Sequence, residues 1–310
     1  MSKFMVTGGG GFIGSHLVEH LLQEGHDLVV VDNFSTGYPK NVAPFQKDID
    51  LREIDIRDKD AVYDAMKGVE YVFHQAALPS VPLSIENPEQ SHDVNVKGTM
   101  NVLLAARDSG VKRLVFAGSS AAYGDSPEEF KSEDMQPRVK SPYAADKVAA
   151  ENYCLVFNEV YDIETVVIRY FNVFGPRQDP QSAYAAVIPI FATAMIDDKA
   201  PTIFGDGVQS RDFTYIQNIV TGNMLAMYSD RAPGEVFNIA CGIRISLLDL
   251  VRELNRILGK NIEPHFGAPR AGDIIHSRAS IDKARRLLHY DPVISFSEGL
   301  ERTLEYYVHV

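Results

Sequence analysis

The chain has 310 residues, 45% apolar and 23% charged, with a net charge of −12 and 2 cysteines. That acidic balance speaks against a nucleic-acid partner, which needs a basic surface, and no apolar run approaches the roughly 18 residues of a membrane helix. Met1-Ser2-Lys3-Phe4-Met5-Val6 runs at once into a glycine cluster, without the apolar stretch and cleavage site of a signal peptide, so a cytoplasmic protein is expected. Cys154 and Cys241 are far apart and lack metal-ligand spacing; they read as small core residues, with neither disulfide nor metal expected.

Short β-branched runs at 3–7, 27–32, 50–56, 71–77, 113–119 and 164–172 alternate with helical stretches. The alternation predicts an α/β fold, a doubly wound parallel (Rossmann) sheet with both faces covered. The first run ends in Thr7-Gly8-Gly9-Gly10-Gly11-Phe12-Ile13-Gly14, ahead of an amphipathic stretch at 15–24. Glycines there let the backbone turn sharply and approach a pyrophosphate, whose charge then rests on the amides at a helix start. A glycine motif alone is weak, but here a strand precedes it, a helix follows it, and Asp32 closes the second run. A carboxylate at that place accepts bonds from both ribose hydroxyls and repels a 2′-phosphate, which predicts NAD and not NADP.

Asp55-Ile56 follows the third run, placed to meet an adenine edge or, almost equally, to cap a strand end. His74-Gln75-Ala76-Ala77 ends the fourth, where small residues either leave room for diphosphate and ribose or let a helix pack closely. The run at 113–119 ends in Ser119-Ser120-Ala121-Ala122-Tyr123-Gly124, hydroxyls at the ligand-binding edge of such a sheet or, for whichever serine points away, a turn cap. Ser141-Pro142-Tyr143-Ala144-Ala145-Asp146-Lys147 then opens a helix, with Ser141 as N-cap and Pro142 in the first turn. Tyr143 and Lys147 share a helix face, so an ammonium can sit near the phenol and lower its pKa by roughly 1 to 3 units from about 10. The resulting phenolate is a base.

Beyond Asn172 the pattern loosens into loops such as Phe174-Gly175-Pro176-Arg177, broken by helical stretches at 188–196 and 246–258. This predicts an NAD-binding domain at 1–172 and a smaller second α/β lobe at 173–310, with the apolar run 235–240 able to return to the first sheet.

In this order the glycine loop, Asp32-Asn33, His74-Gln75-Ala76-Ala77, Asn95-Val96-Lys97-Gly98-Thr99, the Ser/Tyr/Lys set and Arg169-Tyr170-Phe171-Asn172-Val173-Phe174-Gly175-Pro176 resemble the extended short-chain dehydrogenase/reductases. The resemblance runs from Thr7 to the C-terminus and is to the NAD-dependent UDP-glucose and UDP-N-acetylglucosamine 4-epimerases in particular. It implies a catalytic triad of Ser119, Tyr143 and Lys147, with Ser120 a neighbouring candidate. It implies NAD contacts at Gly8, Gly11, Phe12, Ile13, Gly14, Asp32, Asn33, Ser35, Thr36, Gly37, Asp55, Ile56, Gln75, Ala76, Ala77, Asn95, Tyr143, Lys147 and Tyr170. Contacts to a UDP-sugar are implied at Ser80, Ser119, Ser120, Tyr143, Asn172, Val187, Ile188, Pro189, Phe204, Arg211, Arg270, Asp273 and Ser277.

Family dehydratases carry an Asp-Glu pair just after the catalytic hydroxyl, and the decarboxylases a Glu nearby. Ser120 and Ala121 stand there in this chain, which favours oxidation and re-reduction at C4 with no net redox change. Epimerisation of a UDP-uronate is the rival enzyme reading, and the intact triad argues against a non-catalytic NAD-binding protein. Ser277 is small where glucose-only epimerases tend to have Tyr, so N-acetylated sugars are expected to fit. Leu83 stands where relatives often have a basic residue. The resemblance also suggests a homodimer through helices at 87–109 and 142–161.

Overall fold

The computed structural model describes residues 1–180, 186–269 and 277–309; Arg270 and Asp273 lie outside the described residues. Strands β1 (Lys3–Thr7), β2 (Asp27–Asp32), β3 (Asp50–Glu53), β4 (Tyr71–His74), β5 (Arg113–Ser119) and β6 (Glu164–Tyr170) build the first half. Then come β7 (Val173–Phe174), β8 (Thr202–Phe204), β9 (Ser210–Arg211), β10 (Thr214–Tyr215), β11 (Val236–Ile239), β12 (Ile245–Ser246) and β13 (His265–Gly267). The helices are α1 (Phe12–Gln23), α2 (Lys59–Ala65), α3 (Val81–Glu86), α4 (Pro88–His92), α5 (Thr99–Asp108), α6 (Pro142–Val160), α7 (Val187–Ile196), α8 (Ile216–Tyr228), α9 (Leu247–Leu258), α10 (Asp282–Leu288) and α11 (Phe296–His309).

Seven strands form one sheet in the order β11-β6-β5-β4-β1-β2-β3, parallel throughout. From β1 the chain winds outward to β2 and β3, then crosses back to β4 and continues the other way. The crevice between β1 and β4, above their carboxyl ends, is therefore a topological switch point, the ordinary place for a ligand in such sheets. Leu28, Val29, Val30 and Val31 are all buried, which an alternating pattern would not give. The cause is helices on both faces, α1 and α8 on one and α2, α5 and α6 on the other.

Three strands stop short of the expected ends, β3 at Glu53, β4 at His74 and β6 at Tyr170. Turn chemistry takes over at the first of them: the Asp55 carboxylate accepts the backbone N–H of Arg57 at 2.8 Å and curls the chain into the crevice.

Past Asn172 the structure is made of two-stranded pieces: β7 with β10, β9 with β12 and β8 with β13. The chain also returns to the main sheet, since 235–240 contributes β11 and α8 packs on β5 and α1. Buried Arg113 fastens this return. It donates to the carbonyls of Ala226, Met227 and Ser229 at 3.2, 2.6 and 2.8 Å, where the negative end of α8 welcomes a cation. Local signals set the helix ends. Ser141 accepts the Ala144 N–H at 3.2 Å at the start of α6, and Ser246 and Asp249 form a reciprocal capping box on α9. Both cysteines are free. Among the described residues no helix is long and apolar enough to cross a membrane, and no cluster of metal-ligating side chains occurs.

Candidate active site

A cleft of about 580 Å³ is lined by the loops that follow β1, β2, β3 and β4. Its floor is the glycine loop. A side chain at Gly8 (φ +71°) would meet the Ala76 backbone at 2.6 Å, and one at Gly14 would lie 2.1 Å from the Gly8 carbonyl oxygen. Only glycine lets α1 start this close to the strand ends. No side chain caps α1 and no acid stands in its first turn, so its leading amides keep their donors for a ligand.

The Asp32 carboxylate accepts the N–H groups of Gly10 and Phe34, each at 2.8 Å; burial raises its pKa and these donors pull it back. Asn33 donates to Asp55 at 2.8 Å, and Arg57 beside it holds the Asp55 carboxyl down at about 2. Beneath the cleft runs a buried hydrogen-bond chain. Thr99 Oγ1 donates to the Asn95 carbonyl at 2.7 Å, so it accepts from His74 Nε2 at 3.0 Å. His74 Nδ1 then accepts from Thr7 Oγ1 at 2.6 Å, and Thr7 Oγ1 accepts the Ala76 N–H at 3.2 Å. Every donor is used once if His74 is neutral, and burial holds its pKa down at about 3. Gln75 and Tyr170 share hydrogen bonds, and Tyr170 also donates to Asn223 at 2.9 Å.

All the cofactor-site residues expected from the sequence line this cleft except Asn95. Asn95 sits in a π-helical turn, Asp93–Gly98, and is buried. It accepts from the Leu78 N–H at 2.8 Å and donates to the Leu78 carbonyl at 3.3 Å. Its side chain is thus engaged with the backbone of Leu78, one of the cleft residues 75–80.

Tyr143 and Lys147 reach the same cleft from the first turns of α6. The sequence predicts that Lys147 lowers the phenol pKa, but in the protein alone the direction is reversed. Burial raises Tyr143, and the group that pulls it down is the Ser119 hydroxyl. Lys147 points its ammonium at the face of Phe116, 4.4 Å from the ring centre, and burial lowers its own pKa to about 8. Of the two candidate serines, Ser119 is the one coupled to Tyr143; Ser120 begins a 3₁₀ turn, Ser120–Tyr123.

A second cleft, of about 540 Å³, is lined by Asn172, Val187, Ile188, Phe204 and Arg211 from the sequence-based set. Val173 and Ala186 border both clefts. Ser80 lies in the first cleft, its hydroxyl accepting the Leu83 N–H at 3.2 Å to cap α3. Pro189 is buried in α7 and lines neither cleft; Ser277 also lines neither, its N–H donating to the Ser210 carbonyl at 3.2 Å beside Arg211.

The model of the NAD dependent epimerase/dehydratase family matches residues 4–240. The chain belongs to this family. It is 36% identical to a putative UDP-glucose 4-epimerase of Methanocaldococcus jannaschii, over 97% of each chain. Among solved structures it is similar to a UDP-N-acetylglucosamine 4-epimerase of Methanobrevibacter ruminantium, with a TM-score of 0.95 and 36% identity over 99% and 98% of the two chains. It is likewise similar to the Thermus thermophilus UDP-glucose 4-epimerase in complex with NAD, with a TM-score of 0.90 and 36% identity over 99% of each.

As in the family, NAD is the cofactor, and the residues present fit it. The free amides of α1 suit a diphosphate, and Asp32 suits an unphosphorylated ribose. The sequence reading missed Tyr38, Arg177, Gln178 and Asp179, which also line this epimerase-family cleft, and Gln209, Phe191, Phe213 and Leu247 in the second. Residues 174–176 belong to the motif that carries the resemblance, but Arg177 just after it read only as part of a loop.

Proposed function

We propose that the chain interconverts the C4 epimers of a UDP-hexose, including the 2-acetamido sugars. The observation that carries this reading is Tyr143 in a dinucleotide cleft that shares Val173 and Ala186 with the second cleft, with the Ser119 hydroxyl close enough to lower the pKa of its phenol. A nucleotide held in the second cleft can then extend its sugar to the phenol. NAD, when bound, supplies a reversible hydride acceptor at C4 and one positive charge. Tyr143 takes the C4 hydroxyl proton and later returns it, while Ser119 hydrogen-bonds both phenol and sugar to fix their geometry. Burial keeps the phenol protonated in the chain alone, so deprotonation awaits the added positive charge, to which the proposal adds the Lys147 ammonium.

Asn172, Phe204 and Arg211 grip the uridine diphosphate, with Arg211 suited to phosphate by its planar fork. Arg270 and Asp273 complete this clamp in the proposal. Binding energy spent on the nucleotide leaves the sugar ring free to turn and present its other face. Ser120 and Ala121 add no acid or base to divert the 4-keto sugar. The small Ser277 leaves space beside C2 for an acetamido group.

The test is incubation with UDP-galactose and, separately, UDP-N-acetylgalactosamine without added cofactor, followed by separation of the nucleotide sugars. Both gluco epimers are expected. If neither forms even after NAD is supplied, the C4 hexose reading is wrong and UDP-uronates become the substrates to try.

The proposal also includes a homodimer. Tyr153, Val156 and Val160 project from α6 with exposures of 42%, 50% and 63%, an apolar stripe of the kind that a second copy covers. Size measured on dilution tests it.

A further inference from the structure

Arg177 is held in a way that folding alone does not call for. Its backbone sits in the left-handed region at φ +65°, uncommon for a long side chain and a mark of functional sites. Its Nη2 pairs with Glu19 of α1, and the ring of Phe45 faces the guanidinium carbon at 5.8 Å. Its Nη1 is buried with no hydrogen-bond partner among the described residues, and Oε1 of the adjacent Gln178 is in the same state. An unpaired buried donor on a charged group costs stability unless a ligand uses it.

Both residues line the dinucleotide cleft. Among the described lining residues the cations are Lys147 and Arg177, and Lys147 is committed to the catalytic helix and the face of Phe116. Leu83, also in the lining, contributes no charge where relatives often have a basic residue. The dinucleotide brings an anionic diphosphate, and one cation in the cleft is left to meet it. The segment that carries Arg177 is fastened on several sides. His16 Nε2 donates to the Pro176 carbonyl at 3.0 Å, Tyr38 donates to Asp179, and Tyr307 donates to the Gln178 carbonyl at 2.7 Å. His16 holds this bond as a neutral ring, since burial lowers its pKa to about 4.

We propose that residues 176–179 form an outer clamp of the NAD site and that Arg177 Nη1 is the group that binds the cofactor diphosphate. The inference rests on the cofactor cleft alone and holds whichever sugar is turned over. It is tested by releasing and counting the NAD carried by purified protein and by titrating NAD into stripped protein. R177M should bind NAD at least about ten-fold more weakly, the loss expected for one charge-assisted hydrogen bond, with a shallower salt dependence. The UDP-sugar KM at saturating NAD should stay unchanged. E19Q, which removes the tether but leaves the guanidinium, should keep NAD affinity within about three-fold, the size of a half-exposed ion pair.

Unaltered NAD binding in R177M overturns the proposal. So does an equal loss of affinity and of Tm in R177M and E19Q, which would make Arg177 only a latch on α1. If R177M does not fold, R177K decides. A single ammonium cannot span Glu19 and a diphosphate together, so NAD binding equal to wild type again overturns the assignment.

Discussion

The two clefts share a border at Val173 and Ala186 but are built differently. The floor and walls of the cofactor cleft come from the loops that follow β1, β2, β3 and β4 of one sheet, each a few residues from a strand end, with Tyr143 and Lys147 of α6 and residues 177–179 added from further along the chain. The second cleft is assembled from α7, β8, β9 and the start of α9, brought together by strand pairs two or three residues long. A site made of strand ends is set by short-range sequence; a site made of loops is set by which distant segments meet. The two should therefore fail differently when mutated, the first in cofactor retention and chemistry, the second in substrate binding and choice.

The largest effect is expected from Tyr143→Phe. Removing the proposed acid–base group should lower kcat by about 10²- to 10⁴-fold while leaving NAD content and the UDP-sugar Kd near wild type. Full turnover in this variant would remove the proposed chemistry from the first cleft. Next is Arg211→Met in the second cleft. Loss of one charge-assisted phosphate contact should raise the UDP-sugar KM by about 10- to 100-fold, with bound NAD unchanged. Equal loss of NAD would mean that the clefts do not act separately. A smaller change is expected from Ser277→Tyr. It should cut turnover of UDP-N-acetylgalactosamine about ten-fold or more and leave UDP-galactose within about two-fold, the selectivity that a shape change in a pocket gives. Competition of the two substrates in one vessel measures this directly.

The contrast also explains what the sequence could convey. The glycine loop, Asp32, the 74–77 run and the spacing of Tyr143 and Lys147 are local devices, and Gly8, Gly11, Gly14, Asp32, Gln75, Ala76, Ala77, Tyr143 and Lys147 from them line the cleft. Asn95 was legible as a motif but not as a π-helical turn, because its side chain is consumed by Leu78, a partner from another segment. The direction of the Tyr143 shift was not legible either. Helical spacing put an ammonium on the right face, but burial and the ring of Phe116 decide the electrostatics, and both depend on tertiary packing. Arg177 was hidden for the same reason. Its partners Glu19 and Phe45 lie far back in the chain, and nothing in a Gly-Pro-Arg loop announces that it meets them.

The smallest expected effect contrasts two histidines beside the cofactor cleft with one buried carboxyl on the other side, by the sign of their response to acid. On the cofactor side, His16 and His74 have folded pKa values of about 4 and 3, below the 6.5 of the unfolded chain. Between about 4 and 6.5 the unfolded state binds more protons than the native state, so stability present above 6.5 is lost as pH falls, by up to about 1.4 kcal/mol per pH unit for each histidine. On the other side, Asp212 is buried and collects the N–H groups of Cys241, Gly242 and Ala279 at 3.0, 3.0 and 3.1 Å, yet burial still lifts its pKa to about 6 from 3.8. Here the native state holds the extra proton between 3.8 and 6, so this group's contribution is present at low pH and lost as pH rises through about 6. Denaturant unfolding from pH 4 to 7, compared between wild type and single variants, separates the two contributions. His16→Gln should flatten the slope and Asp212→Asn should steepen it, whatever each does to stability at pH 7. Equal slopes in all three proteins would mean that neither His16 nor Asp212 sets how its region answers to acid.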